Sequence, residues 1–313
     1  MQLTNEWISG FVDGEGCFKI QKINRKKKLS EDKKYTKKNS LCKVELFIKE
    51  NNCETPSVVE ERVLRHRFIV SQDKRSIGVL YGLKRKFKCG TVHKAGGNMM
   101  AFQVSRTVHL ENIILPFFQK YPLLTKKGES FCSFVKSLKN YNEKNRIIEN
   151  EKEKNISTID DKGDKKQLSQ PGYNFSDNWF RGFIDAEGCF FVSLVKDYPR
   201  VQLIIGLESK EKQMLVQLQK FLKCGTLRKR KDGAEILQIV SSKDLERYIF
   251  PKLQTKSGAV LLQTVKRISY QKFRKIVRLI CEKKHQTIEG LEKIKKLKKS
   301  HNKENDYLSL TKA

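Results

Sequence analysis

The sequence predicts an α+β fold built twice from one unit. Two observations carry this: the chain repeats itself at three places in the same order, and each copy's apolar spacing runs helix, two strands, helix, two strands, helices. Trp7-Ile-Ser-Gly-Phe-Val-Asp-Gly-Glu-Gly-Cys-Phe18 recurs as Trp179-Phe-Arg-Gly-Phe-Ile-Asp-Ala-Glu-Gly-Cys-Phe190, at an offset of 172. Lys88-Cys-Gly-Thr91 recurs as Lys223-Cys-Gly-Thr226 at 135, and Thr125-Lys126 with Gly128 as Thr255-Lys256 with Gly258 at 130.

Taken in order, residues 6–12 have helical spacing, with Thr4 or Asn5 able to cap them. Residues 17–23 alternate as a strand and 65–71 as a second. Ile77, Leu80, Leu83 and Phe87 put a helix over 76–88. Residues 90–94 and 100–104 form a hairpin around Ala95-Gly-Gly-Asn98, and 110–118 and 129–138 are helical. In the second copy the strands fall at 189–195 and 200–206, a helix at 210–222, a hairpin at 225–240, and helices follow.

The fall in offset from 172 to 135 places about 37 extra residues in the first copy, between its first two strands. The domains follow: a first repeat at 1–139 with a basic insertion at about 24–62, a charged linker at 140–175, a second repeat at 176–281, and a solvated basic tail at 282–313. Within the insertion, residues 43–48 alternate like a further strand.

The charge narrows the function. Lys and Arg number 65 against 35 Asp and Glu, a formal net charge of +30, and that calls for a polyanionic partner, nucleic acid foremost. No apolar run of about 18 residues exists to span a membrane. The first residues, MQLTNEWISG, match neither a secretory signal nor a transit peptide. The excess of Lys, Asn and Ile is what A/T-rich codons produce, and it points to an organellar genome, mitochondrial or chloroplast. The eight cysteines lack zinc-ligand spacing and are read as small core residues, Cys17/Cys189 and Cys89/Cys224 at matched places among them.

The repeated motif carries the chemistry. Gly10 and Gly14, like Gly182 and Ala186, are four residues apart, so each motif helix carries a stripe of small residues that lets two backbones approach. Facing motif helices would bring Glu15 and Glu187 together at their C-terminal ends. The helix dipole and mutual repulsion both disfavour two carboxylates there, and a divalent cation, Mg²⁺ with phosphate, relieves both. Asp13 and Asp185 read as hydrogen-bonding groups at the helix end, with assistance to the metal as the other reading.

The segments Ile8-Ser-Gly-Phe-Val-Asp-Gly-Glu-Gly16 and Phe180-Arg-Gly-Phe-Ile-Asp-Ala-Glu-Gly188 resemble the signature of LAGLIDADG homing endonucleases, in the single-chain form with two motifs. The resemblance implies two pseudo-symmetric αββαββα repeats whose four-stranded sheets form a saddle over DNA. It also implies metal binding by Glu15 and Glu187 and by the carbonyls of Gly14 and Ala186, and a staggered cut across the minor groove. Glu stands where Asp is usual, and Arg181 where a small residue is preferred. Leu124-Thr-Lys-Lys127 and Gln254-Thr-Lys-Ser257 are similar to the family's basic segment, which assigns Lys126 and Lys256 to phosphate charge or water. Gln72 resembles a water-positioning residue, with Leu207 as its counterpart.

Alternation sends Lys19, Gln21, Arg65, Arg67, Gln103, Arg200, Gln202, Arg228, Arg230 and Gln238 to the sheets' outer faces. Arg, Lys and Gln are the side chains that read purine edges in the major groove. The leading expectation is a monomeric, Mg²⁺-dependent endonuclease cutting double-stranded DNA and spreading its intron. The alternatives are a maturase binding the host intron RNA, which the basic insertion and tail favour, and a DNA-binding regulator. Retention of both glutamates favours the nuclease.

Overall fold

Thr4 opens the first helix by accepting the backbone N–H of Trp7 at 3.2 Å, an N-cap that satisfies one of the helix's orphan donors. The computed structural model describes residues 3–28, 58–151 and 172–309. Helix α1 (Asn5–Glu15) passes without a loop into β1 (Gly16–Lys28), which returns as β2 (Val58–Asp73). Helix α2 (Ile77–Phe87) leads to β3 (Thr91–Gly96) and β4 (Met99–Val104), completing an antiparallel sheet of order β1-β2-β4-β3. A short α3 (Thr107–His109) then runs through a π-helical turn, Leu110–Ile114, into α4 (Leu115–Lys120), and α5 (Lys127–Glu151) lies against β1.

The second half follows the same path. Helix α6 (Asp177–Glu187), capped by Ser176, passes directly into β5 (Gly188–Val195), then β6 (Tyr198–Leu207), α7 (Lys212–Leu222), β7 (Thr226–Lys229) and β8 (Glu235–Ile239). The sheet order is β5-β6-β8-β7. Helix α8 (Ser242–Asp244), a π-helical turn over Leu245–Ile249, α9 (Phe250–Leu253), α10 (Lys266–Cys281) and α11 (Ile288–Ser309) complete it. The repeated Lys-Cys-Gly-Thr has a local cause. Lys88 and Lys223 end their helices in the left-handed region (φ 52° and 58°), and Gly90 and Gly225 then take φ 79° and 94°. A Cβ on Gly90 would lie 2.6 Å from the Phe102 ring.

Each half has its own core. The first is aromatic, with Phe18 ringed by Phe68, Phe118, Phe131 and Phe134 at centroid distances of 5.0–5.5 Å. The second is more aliphatic, with Leu203, Ile205, Met214, Leu215, Leu218 and Leu237 fully buried beside Phe183 and Phe273.

Three expectations are corrected. The hairpin that carries the insertion is longer than alternation suggested, because its ladder runs out to Lys28↔Val58. Residues 24–28 and 58–62 are therefore sheet rather than insertion, while 29–57, including the expected strand at 43–48, lie outside the described residues. The second half closes the same hairpin with Lys196 and Asp197, both at positive φ. The segment read as a linker opens as helix, since α5 continues to Glu151. The expected solvated tail is α11, which packs on α10 and β5 with Ile294 and His301 fully buried and the His301 Nε2 2.6 Å from the Phe190 carbonyl oxygen.

Candidate active site

The halves meet through α1 and α6, and the small residues explain how closely. A Cβ on Gly10 would lie 2.0 Å from the Trp179 carbonyl oxygen, and one on Gly182 would lie 2.0 Å from that of Trp7. One turn further on, a Cβ on Gly14 would meet the Ala186 Cβ at 2.3 Å and Glu187 Oε1 at 3.2 Å. Glycine is obligatory where two backbones touch. The crossing brings the helix ends, with Glu15 and Glu187, to one place. Arg181 does not obstruct it: its guanidinium turns away to the Lys252 carbonyl of α9 and to Asn178, as Ser9 donates to the Pro122 carbonyl in the first half.

The motif aspartates sit just inside this crossing, 3% and 1% exposed. Asp13 accepts the backbone N–H groups of Leu124 (3.0 Å) and Thr125 (2.9 Å), the Thr125 hydroxyl (2.7 Å) and the Trp179 indole N–H (2.8 Å). Asp185 accepts the equivalent set from Gln263 (2.7 Å), Thr264 (3.1 Å), the Thr264 hydroxyl (2.5 Å) and Trp7 (3.1 Å). Burial raises both carboxyls above the usual carboxylate range, and the hydrogen bonds act against that rise. The aspartates thus fasten a loop in each half, as the hydrogen-bonding reading expected.

Those loops deliver lysines to the helix ends. Lys127 Nζ donates to the Gly14 carbonyl at 2.7 Å, and Lys266 Nζ to that of Ala186 at 2.6 Å. Burial pulls the Lys127 ammonium below the ordinary lysine range, against the carboxylates of Asp13, Glu187 and Glu15. This corrects the expected pair. Lys126 is exposed, and its backbone N–H donates to Glu211 Oε1 at 2.8 Å. Lys256 is exposed in a turn closed by Gly258 N–H to the Thr255 carbonyl. The true correspondence is Leu123-Leu-Thr-Lys-Lys127 with Leu262-Gln-Thr-Val-Lys266, an offset of 139, whose signal is Leu-x-Thr-x-Lys. The Gly14 and Ala186 carbonyls, expected as metal ligands, are those that receive the two ammonium groups.

Gln72 lies on β2, two residues beyond Val70, which pairs with Gly16 where α1 ends. Leu207 has the same place on β6 and packs on the second core. Next to each begins a cross-contact between halves. Ser76 Oγ accepts the Val265 N–H at 3.2 Å, while its counterpart Glu211 accepts that of Lys126.

The outer sheet faces carry most of the residues that alternation assigned to them. Lys19 pairs with Arg67 and Gln21 with Arg65 across β1 and β2, and Arg67 donates to Gln21. In the second sheet Phe191 pairs with Gln202 and Ser193 with Arg200. Gln238 donates to Gln202 at 2.6 Å, and Arg228 pairs with Ile236. A groove of about 340 Å³ is lined by Tyr198, Arg200, Gln202, Arg228 and Gln238. Arg230 is a correction: it lies one residue past β7, in a turn, ion-paired with Asp232 at 2.9 Å.

Cys17 and Cys189 are also corrected, being exposed on these faces rather than in the core. They begin a row that both sheets share: Cys17–Ile69–Gln103–Thr91 in the first, Cys189–Ile204–Gln238–Thr226 in the second. Cys89 is buried as expected, and burial pushes the half-buried Cys224 thiol up to about 11.

Comparison with known proteins gives this geometry a context. A "Probable intron-encoded endonuclease Cox1-I1b" of Schizosaccharomyces pombe is 29% identical over 228 residues, covering 69% of this chain and 49% of that protein. The "DNA endonuclease I-CvuI" of Chlorella vulgaris is 33% identical over 111 residues, covering 30% of this chain and 69% of that one. The chain spans about half the length of the first of these relatives. Among solved structures, I-SmaMI bound to an uncleaved DNA target with calcium ions superimposes with a TM-score of 0.69 at 21% identity, over 96% of this chain and 99% of that chain. I-GzeII in complex with its DNA target gives 0.70 at 20% identity, over 95% and 97%. The family model described as LAGLIDADG endonuclease matches residues 8–138 and 180–277, both repeats from motif to closing helix. The chain belongs to the LAGLIDADG endonuclease family.

Proposed function

We propose that the chain is a metal-dependent, site-specific endonuclease, a monomer that hydrolyses both strands of a long double-stranded DNA target and so spreads its host intron. One observation carries the reading: two glutamates brought together at the ends of touching helices, each beside a lysine, at the start of α5 or α10, fixed to the penultimate carbonyl. The outward basic rows and the formal charge of +30 supply the surface for DNA. The names of the relatives, intron-encoded and DNA endonucleases, agree with it. The Lys-, Asn- and Ile-rich composition supports an organellar gene.

The residues present suit Mg²⁺. Glu15, Glu187 and the second lone pairs of the Gly14 and Ala186 carbonyls are all hard oxygen donors, and no group of three His, Cys, Asp or Glu forms a closed cage among the described residues. Mg²⁺ is typically held by one or two carboxylates together with substrate phosphate. A bound ion would supply activation of water and charge stabilisation for the leaving 3′ oxygen. Around it Glu15 and Glu187 hold charge at the helix ends, one to each strand. Lys127 and Lys266 bring positive charge to the developing phosphorane or polarise the attacking water, in the role first assigned to Lys126 and Lys256. Gln72 orients a water beside the first motif, and Leu207 has no polar atom with which to do so beside the second. The exposed Lys126 and Lys256 add to the field that holds the DNA backbone.

The test is incubation of the purified protein with DNA spanning the intron-free insertion locus, with and without Mg²⁺. A linear product only with the metal supports the reading. Tight binding of the intron RNA without cutting would return the maturase reading.

A further inference from the structure

The two tryptophans that open the motifs do more than fill space. Trp7 stacks on Phe11 and Trp179 on Phe183, each at 4.7 Å on its own helix, and both indoles are 3% exposed. Their N–H groups cross the interface. Trp179 of the second half donates to Asp13 of the first, and Trp7 to Asp185. From each aspartate the bonds continue to a lysine. Asp13 Oδ1 holds the Thr125 N–H and hydroxyl, Thr125 Oγ1 accepts the Lys127 N–H at 3.2 Å, and Lys127 Nζ ends on the Gly14 carbonyl. The mirror path runs Trp7, Asp185, Thr264, Lys266 (3.2 Å at the Lys266 N–H) and Ala186.

We infer that Trp7 and Trp179 are positioning residues exchanged between the halves, each setting the lysine of the opposite half's active site. The inference rests on the nuclease reading. An ionised carboxylate has about four acceptor positions, and the loop fills three of them. The indole N–H is the fourth donor and the one that comes from outside, so it fixes the carboxylate's rotation against the partner helix. Each loop is therefore shaped by contact with the other half, and pairing of the helices and assembly of each site are one event. The path from Trp179 ends at Lys127 and that from Trp7 at Lys266, so the effects separate by strand.

The experiment uses the full chain and a DNA duplex carrying the intron-free insertion locus, end-labelled on either strand, with single-turnover rates read for each strand and DNA affinity read in parallel. The strand slowed by Lys127→Met identifies the Lys127 site. Trp179→Phe, which keeps the stacked ring and removes the donor, slows that strand roughly tenfold, the scale of one hydrogen bond to a charged group, with the other strand and the affinity within about twofold. Trp7→Phe slows the opposite strand. Thr125→Val interrupts the path beyond the carboxylate and slows the same strand as Trp179→Phe, which decides the matter if the phenylalanine variant fails to fold or bind. Equal slowing of both strands by Thr125→Val and by either tryptophan variant, or no slowing, overturns the inference. An uncut duplex with the wild-type protein overturns the nuclease reading instead.

Discussion

Adding one methyl group at Gly10 tests how far the site depends on helix contact. An alanine Cβ there would lie 2.0 Å from the Trp179 carbonyl oxygen and 3.1 Å from the Phe183 nitrogen, whereas ordinary contact begins at 3.4 Å. Both obstacles are backbone, so no rotamer relieves them, and α1 and α6 must separate by about 1.4 Å along that line. The Trp179-to-Asp13 bond, 2.8 Å long, then stretches beyond hydrogen-bond range, and the Trp7-to-Asp185 bond at 3.1 Å goes with it. Loss of each hydrogen bond to a charged group costs about 1.5–3 kcal/mol and overpacking about 1–3 kcal/mol, so Gly10→Ala, which loses two such bonds, should destabilise the protein by roughly 4–9 kcal/mol. Calorimetry would register this as a fall in Tm of about 6–14 °C in a chain of 313 residues. Cleavage of both strands should fall together, because one crossing serves both sites. Gly172→Ala is the control, since a Cβ there meets nothing within 4 Å. A Gly10→Ala protein with wild-type Tm and wild-type cutting would show that the contact is not the basis of the site.

Four further outcomes are expected. Glu15→Gln or Glu187→Gln abolishes double-strand cleavage and leaves DNA affinity within a few fold, as measured by nicking and gel-shift assays. Lys127→Met and Lys266→Met each slow cleavage by roughly 10²-fold, while Lys126→Met and Lys256→Met stay near the wild-type rate in the same single-turnover assay. The logarithm of the DNA association constant falls with log[salt] at about −0.9 per neutralised phosphate, and a flat titration would detach the charge from nucleic acid. Burial lowers the pKa of His66, packed against Phe134 and Tyr141 with Nε2 2.8 Å from Ser137 Oγ, so the unfolded chain binds its proton more readily. Its contribution is complete above the unfolded value of about 6.5 and is lost as pH falls through the lower folded value. Urea melts across that window should lose this part of their pH slope in His66→Gln.

The fold was legible because its unit occurs twice, and a twelve-residue match at Trp7 and Trp179 needs no structural knowledge to find. What escaped did so for particular reasons. The β1–β2 ladder continues through Arg25-Lys-Lys-Lys28, where charge conceals alternation in the sequence. Cys17 shares the parity of Lys19 and Gln21, so its outward position was available from the pleat; composition, which favours buried cysteine, misled. The lysines were missed because Thr255-Lys256 with Gly258 imitates Thr125-Lys126 with Gly128 more closely than Thr264-Val-Lys266 does. The two threonines that hold the aspartates, Thr125 and Thr264, are what define the correspondence. In α11 the spacing of Leu291, Ile294, Leu297 and His301 is a core-facing stripe, masked by the lysines between. The exchange of tryptophans was beyond the sequence, since no spacing says which partner an indole meets across an interface.

On the proposed endonuclease reading, the row shared by the two sheets bears on the symmetry of the DNA target. Cysteine, isoleucine, glutamine and threonine stand in the same order on both halves, and the halves are related by a pseudo-dyad between α1 and α6. Equal chemistry about a dyad favours equal bases about a dyad, as two-fold proteins favour inverted-repeat sites. The base steps facing this row should therefore be palindromic. One register along, the pair Lys19 and Arg67 in the first sheet has Phe191 and Gln202 as its equivalent in the second, and there the inverted symmetry should lapse. On the proposed endonuclease reading the preferred sequence should be a short inverted repeat with unlike wings, its symmetry lapsing where the two copies have diverged.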